Sequence, residues 1–388
     1  MASLYSWVGH RSRELLVHAH RLIQPTNPGR SVAIFPGEAA TGSGSDLRAT
    51  ALARELRRHG WRTTTVPPQL ELVQRLRIIR AEQPDVILLH QSRHPLNRPR
   101  YYLGIPCVFD ADDADILDPN CRGSVIECCR DSVAVIAGSR FLADEFRPYN
   151  ARVSIVWTGT YLGRSHRITP SQLRMPSVAW ATTNPLGYSD EAKLVREVLI
   201  RLSQRTKFTY YQYGVSADQR HEVERFLAPI RRCGVPIRVF EPTTYKRFVR
   251  SLGSVAVGLQ PVCVESPFSR GKSFGKLLAY LAADVAVVAS DAVDHPLFFQ
   301  DGTNGVLVPN EIERWVDATA LLLQDASLRA RMVAQARADF LARLTTGVAA
   351  ILVSDVLTDA IHCCEKASAA NSEGSLIANH IDQKSRAH

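Results

Sequence analysis

The chain has 388 residues, enough for two or three domains, and 45% of them are apolar, as full globular cores require. Its 47 Lys and Arg against 38 Asp and Glu give a formal charge of +9, which favours anionic partners. No basic-aromatic RNA motif or zinc-finger spacing accompanies that charge, so nucleic acid is set aside, and phosphorylated ligands and acidic lipid surfaces remain.

Eight cysteines stand at 107, 121, 128, 129, 233, 263, 363 and 364, with no C-x-x-C among them. They read as free thiols of a reducing compartment. No apolar run approaches the roughly 18 residues of a membrane span. Residues 1–24 lack the apolar core of a signal peptide. A cytoplasmic location is the expectation.

In chain order, residues 1–24 read as one helix, with Leu4, Trp7, Val8, Leu15, Leu16, Ala19 and Leu22 near one face and His10, Arg11, Arg13 and Arg21 on the rest. Such a helix either rests on an anionic membrane surface or packs on the first domain. Ser31–Phe35 reads as a strand, followed by a loop from Pro36 to Ser45 with Gly37, Gly42 and Gly44. Leu47–His59 is an amphipathic helix with Gly60 at its end, and Arg62–Val66 is a strand. Strand, glycine-rich loop, helix, strand is the opening of a doubly wound parallel sheet. Leu70–Glu82 continues as helix, with strands at Val86–His90, Cys107–Phe109, Val133–Ile136 and Val153–Val156.

Two features of this half sit where open α/β sheets place ligands, at strand carboxyl ends. His90 and His94 follow one strand. Asp110-Ala111-Asp112-Asp113-Ala114-Asp115 follows another. Four carboxylates in six residues are costly to assemble without a cation, a donor or solvent. A solvated loop capping the next helix is the plainer alternative.

Residues 161–177, polar with glycine and proline, read as a linker. The rhythm then repeats, with strands at Val178–Ala181, Phe208–Tyr213, Ile237–Phe240, Val255–Gly258, Ala286–Ala289 and Val306–Val308. Thr182 to Tyr188 follows the first of these, and its Asn184 and Gly187 are candidate polar contacts, with Lys193 nearby. Glu311–Asp339 and Thr345–Cys364 are helical, and 366–388 is polar without an apolar period, as a disordered tail is.

The densest signal lies at Ser269–Pro309. A basic loop, Ser269-Arg270-Gly271-Lys272-Ser273, precedes an apolar helical pattern with Ser273 as N-cap. Arg270, Lys272 and Lys276 beside free helix amides make an anion site, most naturally for phosphate. Lys272 and Lys276 would share one helix face.

This stretch resembles the donor half of GT-B glycosyltransferases, especially the retaining family four (glycosyl transferases group 1). The matching segments are Lys272-Ser273-Phe274-Gly275-Lys276-Leu277-Leu278-Ala279-Tyr280-Leu281-Ala282, Val287-Val288-Ala289-Ser290 and Asp301-Gly302-Thr303-Asn304-Gly305-Val306-Leu307-Val308. The glutamate with which that family holds the ribose falls on Ala279, and its earlier partner, eight positions upstream, on Gly271. The Arg/Lys pair that grips the diphosphate is also missing.

The resemblance implies two Rossmann-like domains, 1–160 on the acceptor side and 178–343 on the donor side, with helix 344–365 crossing back. It implies a hexosyltransferase-like activity, moving a sugar from a nucleotide-sugar donor to a glycan, lipid or small-molecule acceptor, as in polysaccharide biosynthesis. No metal and no cofactor beyond the co-substrate is expected. Asp112 and Asp113 are the catalytic candidates. Gly42, Ser43, Gly44, Asn184, Gly187, Arg270, Lys272, Ser273 and Lys276 are the donor-binding ones. The two departures leave a second reading open, a degenerate GT-B protein that binds a ligand or a partner.

Overall fold

The computed structural model describes residues 12–17, 19, 29–38, 45–161, 169–182 and 185–385, with side chains as far as 366. Its strands form two parallel sheets of six. The first contains β1 (Arg30–Phe35), β2 (Trp61–Thr65), β3 (Val86–His90), β4 (Cys107–Ala111), β5 (Ala134–Ala137) and β6 (Val153–Ile155), in the order β2-β1-β3-β4-β5-β6. The second contains β7 (Ser177–Ala181), β8 (Thr209–Tyr213), β9 (Ile237–Phe240), β10 (Val257–Gln260), β11 (Ala286–Ser290) and β12 (Val306–Val308), in the order β12-β11-β10-β7-β8-β9. Continuous apolar runs such as Val86–Leu89 and Ala286–Ala289 are buried throughout, because helices cover both faces of each sheet.

Strand order reverses between β1 and β3 and again between β7 and β10. Connections leave to opposite faces at those points, so a crevice opens beyond the strand ends. In the second sheet, buried Tyr280 spans this point. Its hydroxyl accepts from the Ala181 N–H at 2.8 Å and lies 3.2 and 3.3 Å from the carbonyls of Ala179 and Leu259. Residue 258 must be glycine for the ring to fit, since a Cβ there would stand 2.8 Å from it.

The sheets are joined by two crossings that run side by side. The Thr160 N–H donates to Leu344 O at 3.0 Å, and the Thr346 N–H to Thr160 O at 3.1 Å. A Cβ on Gly159 would come within 2.4 Å of Thr345 O, so this approach depends on glycine. Residues 162–168 of the expected linker lie outside the described residues.

The last helix, Thr346–Ser385, returns to the first sheet, where Ala350, Val353, Leu357, Ala360 and Ile361 pack with Val32, Leu56 and Leu88. The Trp61 Nε1–H donates to Ser354 Oγ at 2.9 Å. This helix is longer than its apolar period suggests, taking in most of the expected tail, and no proline after Thr346 interrupts it. By length and composition alone, its 21-residue stretch Thr346–Lys366 would also suit a membrane, contrary to the sequence expectation. One apolar stripe of this stretch packs on the first sheet, while Ile351 and Leu352 face outward.

Other differences are local. The expected Glu311–Asp339 helix is two helices, Ile312–Gln324 and Ala326–Arg343, because Asp325 caps the second by accepting from the Leu328 N–H at 2.8 Å. Of the leading helix, residues 12–17 are described. Glu14 pairs with Arg77 at 3.6 Å and Val17 packs on the first core, which favours packing on the first domain over this stretch.

Candidate functional site

The carboxyl ends of both sheets face one another across a cavity of about 480 Å³. Its walls come from both reversal points, with Glu38 and Gln91 after β1 and β3 and Thr182 and Pro261 after β7 and β10, and Asp112 joins them from the end of β4.

The first-sheet wall carries the acidic run, and the structure divides its members. Asp110 is fully buried beneath the wall. It pairs with Arg48 through both oxygens and with His90 Nδ1 at 3.2 Å. Burial works against its charge, but Arg48 and His90 outweigh it and hold the carboxyl at about 2. Arg48 also donates to Val156 O and Thr158 Oγ1, so this is a buried network that fixes the strand end. Arg93 takes Asp115 through Nε and Nη2, and Asp113 at 2.9 Å. Asp112 and Asp113 reach the cavity. Asp112 accepts from Gln91 Nε2 at 3.1 Å and Thr158 Oγ1 at 3.3 Å.

Neither histidine lines the cavity. His90 is buried under Asp110. His94 lies 3.2 Å from an Arg75 nitrogen; burial first, then Arg75, lowers its pKa to about 4.

The second-sheet wall is built differently from the sequence expectation. The helix after the basic loop begins at Leu277, not at Ser273, and Lys276 stands at its cap position. Residues 271–276 form a turn, with Phe274 pulled fully into the core and Gly275 at φ +46°. Ser273 therefore caps nothing, and no helical spacing aligns Lys272 with Lys276. The turn nevertheless brings both lysines and Ser273 into the cavity wall. Arg270 points away, and its Nε donates to Val264 O at 2.8 Å on the surface.

Lys272 bridges the two halves. Its Nζ lies 3.4 Å from Asp113 Oδ1, 4.5 Å from the Phe268 ring centroid and 5.7 Å from that of Tyr188. Burial lowers its pKa, but Asp113 and Tyr188 outweigh it and keep the ammonium above its ordinary value. Asp113 is pushed up by burial and pulled further down by Lys272 and Arg93. Lys276 is lowered, by burial and then by Lys272.

Neither Gly271 nor Ala279, the positions that the resemblance would align with glutamates, lines the cavity. Ala279 is fully buried in the second core and absent from the cavity wall. A Cβ on Gly271 would meet the Ala114 Cβ at 2.4 Å, and Ser139 Oγ donates to Gly271 O at 3.2 Å, so this turn is wedged against the first sheet's loop. Gly187 is exposed beside the cavity, next to Tyr188, which lines it. Gly42, Ser43, Gly44 and Asn184 lie outside the described residues.

Sequence reasoning missed Arg48, Arg93 and Glu191. Arg48 and Arg93 neutralise the acidic run from 62 and 22 residues away, a partnership no local pattern reveals. Glu191 reads as an ordinary first-turn helix acid, favourable there for the dipole, yet it is buried in the cavity wall.

No family model matches the sequence, and no curated protein matches it. Solved structures do match in fold. HepE of Anabaena, crystallised with UDP and glucose, superposes with a TM-score of 0.63 at 13% identity, over 85% of this chain and 99% of that one. Sucrose-phosphate synthase of Thermosynechococcus elongatus gives 0.68 at 12% identity, over 86% and 100%. WaaG, a glycosyltransferase involved in lipopolysaccharide biosynthesis, gives 0.59 at 12%, over 84% and 99%. The fold is GT-B.

Proposed function

We propose that the protein is a glycosyltransferase that moves a sugar from a nucleotide-sugar donor to an acceptor hydroxyl. The observation that carries this is the pairing of walls in one cavity, Lys272 and Lys276 from the segment after β10 on one side and Asp112 and Asp113 from the end of β4 on the other. Proteins of this fold that bind UDP and sugars add support.

In transfer, the bond between the sugar's anomeric carbon and the diphosphate breaks, and its electron pair goes to the phosphate oxygen. The lysines, half-buried in the cavity wall, stabilise that growing charge. A new bond forms from the acceptor oxygen to the anomeric carbon, and the acceptor proton passes to a base. Asp113 suits the task once the diphosphate has drawn Lys272 from it. The nucleotide sugar is a co-substrate, and the scheme needs no cofactor.

Titration of nucleoside diphosphates by calorimetry tests this. Lys272→Ala should weaken binding about ten- to a hundredfold, the worth of one charge-assisted contact. Asp113→Asn removes the competing anion and should tighten the bare nucleotide while slowing transfer. Unchanged affinity in both folded variants would remove the phosphate site and the proposal with it. The degenerate reading is favoured instead if nucleotide binds and no nucleotide sugar turns over across a broad acceptor panel; the positions of Gly271 and Ala279 off the cavity wall are what keep it in play.

A further inference from the structure

We propose that Glu191 is the carboxylate that receives a ligand hydroxyl in this cavity, in a role that rests on the nucleotide-sugar reading. Glu191 lies in the first turn of helix Ser189–Ser203 and is 3% exposed. One of its oxygens, Oε1, accepts twice, from the Cys263 N–H at 3.0 Å and the Ser269 hydroxyl at 2.7 Å. The other, Oε2, is buried with no hydrogen-bond partner among the described residues.

That asymmetry is informative. Buried polar atoms are almost always satisfied, and an ionised oxygen left alone costs more than a neutral one. Cys263, in the loop after β10, and Ser269, in the short helix Pro267–Arg270 that follows, both hold the carboxylate in place. Trp180, Tyr188 and Phe268 line the same cavity. In this assignment an O–H or N–H carried by the occupant completes it. Lys272 and Lys276 share the cavity and select an anionic group. A molecule with a diphosphate and neighbouring hydroxyls meets both demands.

The hydroxyl can belong to the ribose or to the transferred sugar, and the experiment separates the two. Full-length protein is titrated with UDP, ADP and GDP, then with the 2′-deoxy and 3′-deoxy forms of the tightest binder, and with its hexose conjugate against the bare diphosphate. Glu191→Gln keeps an oxygen for Cys263 and Ser269 but presents an NH₂ in place of Oε2. If the ribose is the donor, the wild type should prefer the ribonucleotide over one deoxy form by about tenfold or more, and the variant should lose that preference. If the sugar is the donor, the variant should lose the gain in affinity that the hexose provides. Lys272→Ala should weaken all ligands alike and keep either preference. Nucleotide binding that is indifferent to Glu191→Gln in a folded variant overturns this assignment and leaves the transferase reading intact. Failure of the wild type to bind any of the three nucleotides overturns both.

Discussion

At the scale of single residues, the site is a balance of half-buried charges. Asp113 holds the Lys272 ammonium, and Lys272 and Arg93 hold the Asp113 carboxylate. His94 offers a test of such coupling away from the cavity. Its pKa is about 4 in the fold against 6.5 ordinarily, so below 6.5 the unfolded chain takes up a proton that the folded one resists. The stability contributed by the neutral ring is therefore present above pH 6.5 and lost as pH falls from 6.5 toward 4. Urea unfolding of the wild type and His94→Asn across that window should show the wild type losing stability relative to the variant. A constant difference would mean that His94 titrates normally. The acids Asp112 and Asp113 were legible as candidates from their place after a strand. Their cationic partners were not, because pairing across tens of residues leaves no local trace.

At the scale of elements, the second sheet's reversal point depends on one phenol. Tyr280 belongs to a short helix, Leu277–Ala282, yet its hydroxyl serves the backbone of two strands. Tyr280→Phe keeps the ring and its packing but strips the Ala181 N–H of its buried acceptor. A loss of about 1–3 kcal/mol is expected. Because Ala181 lines the cavity, amide exchange at Ala181 and Thr182 should also quicken. A variant as stable as wild type would show that another acceptor replaces the hydroxyl. The element boundaries were largely readable from apolar runs. The start of this helix was not, because Lys-Ser looks like a cap, while the burial of Phe274 and the turn at Gly275 are decided by the core below.

At the scale of the whole molecule, the halves are latched at a second place. The Asp294 carboxylate, from the loop after β11, accepts from the Arg140 backbone N–H at 3.1 Å, Arg140 Nε at 3.0 Å and Trp157 Nε1 at 2.8 Å, all on the first half. Val293 beside it is held at φ +48°, a costly conformation for a β-branched residue, which indicates how firmly the loop is placed. Asp294→Ala should lower stability by about 2 kcal/mol or more, since one backbone, one guanidinium and one indole donor lose their acceptor. It should also raise the radius of gyration in solution scattering as the cleft opens. A destabilised variant with unchanged radius would show that the Lys272–Asp113 bridge and the paired crossings suffice to keep the halves closed.

The sequence by itself determined the two-sheet architecture, because parallel strands buried on both faces must be continuous apolar runs, and those runs alternate with helical periods through the whole chain. It also marked Asp112 and Asp113, which follow directly on such a run, and Lys272 and Lys276, through a helix start that the structure moves to Leu277. Only the tertiary structure decided what those charges do. Whether Asp110 meets ligand or Arg48, whether Arg270 faces the cavity or Val264, and whether Glu191 is a surface acid or a buried one all depend on which loops the two sheets bring face to face. Side-chain partnership is set by distances in space, and a local pattern of residue types carries no record of them.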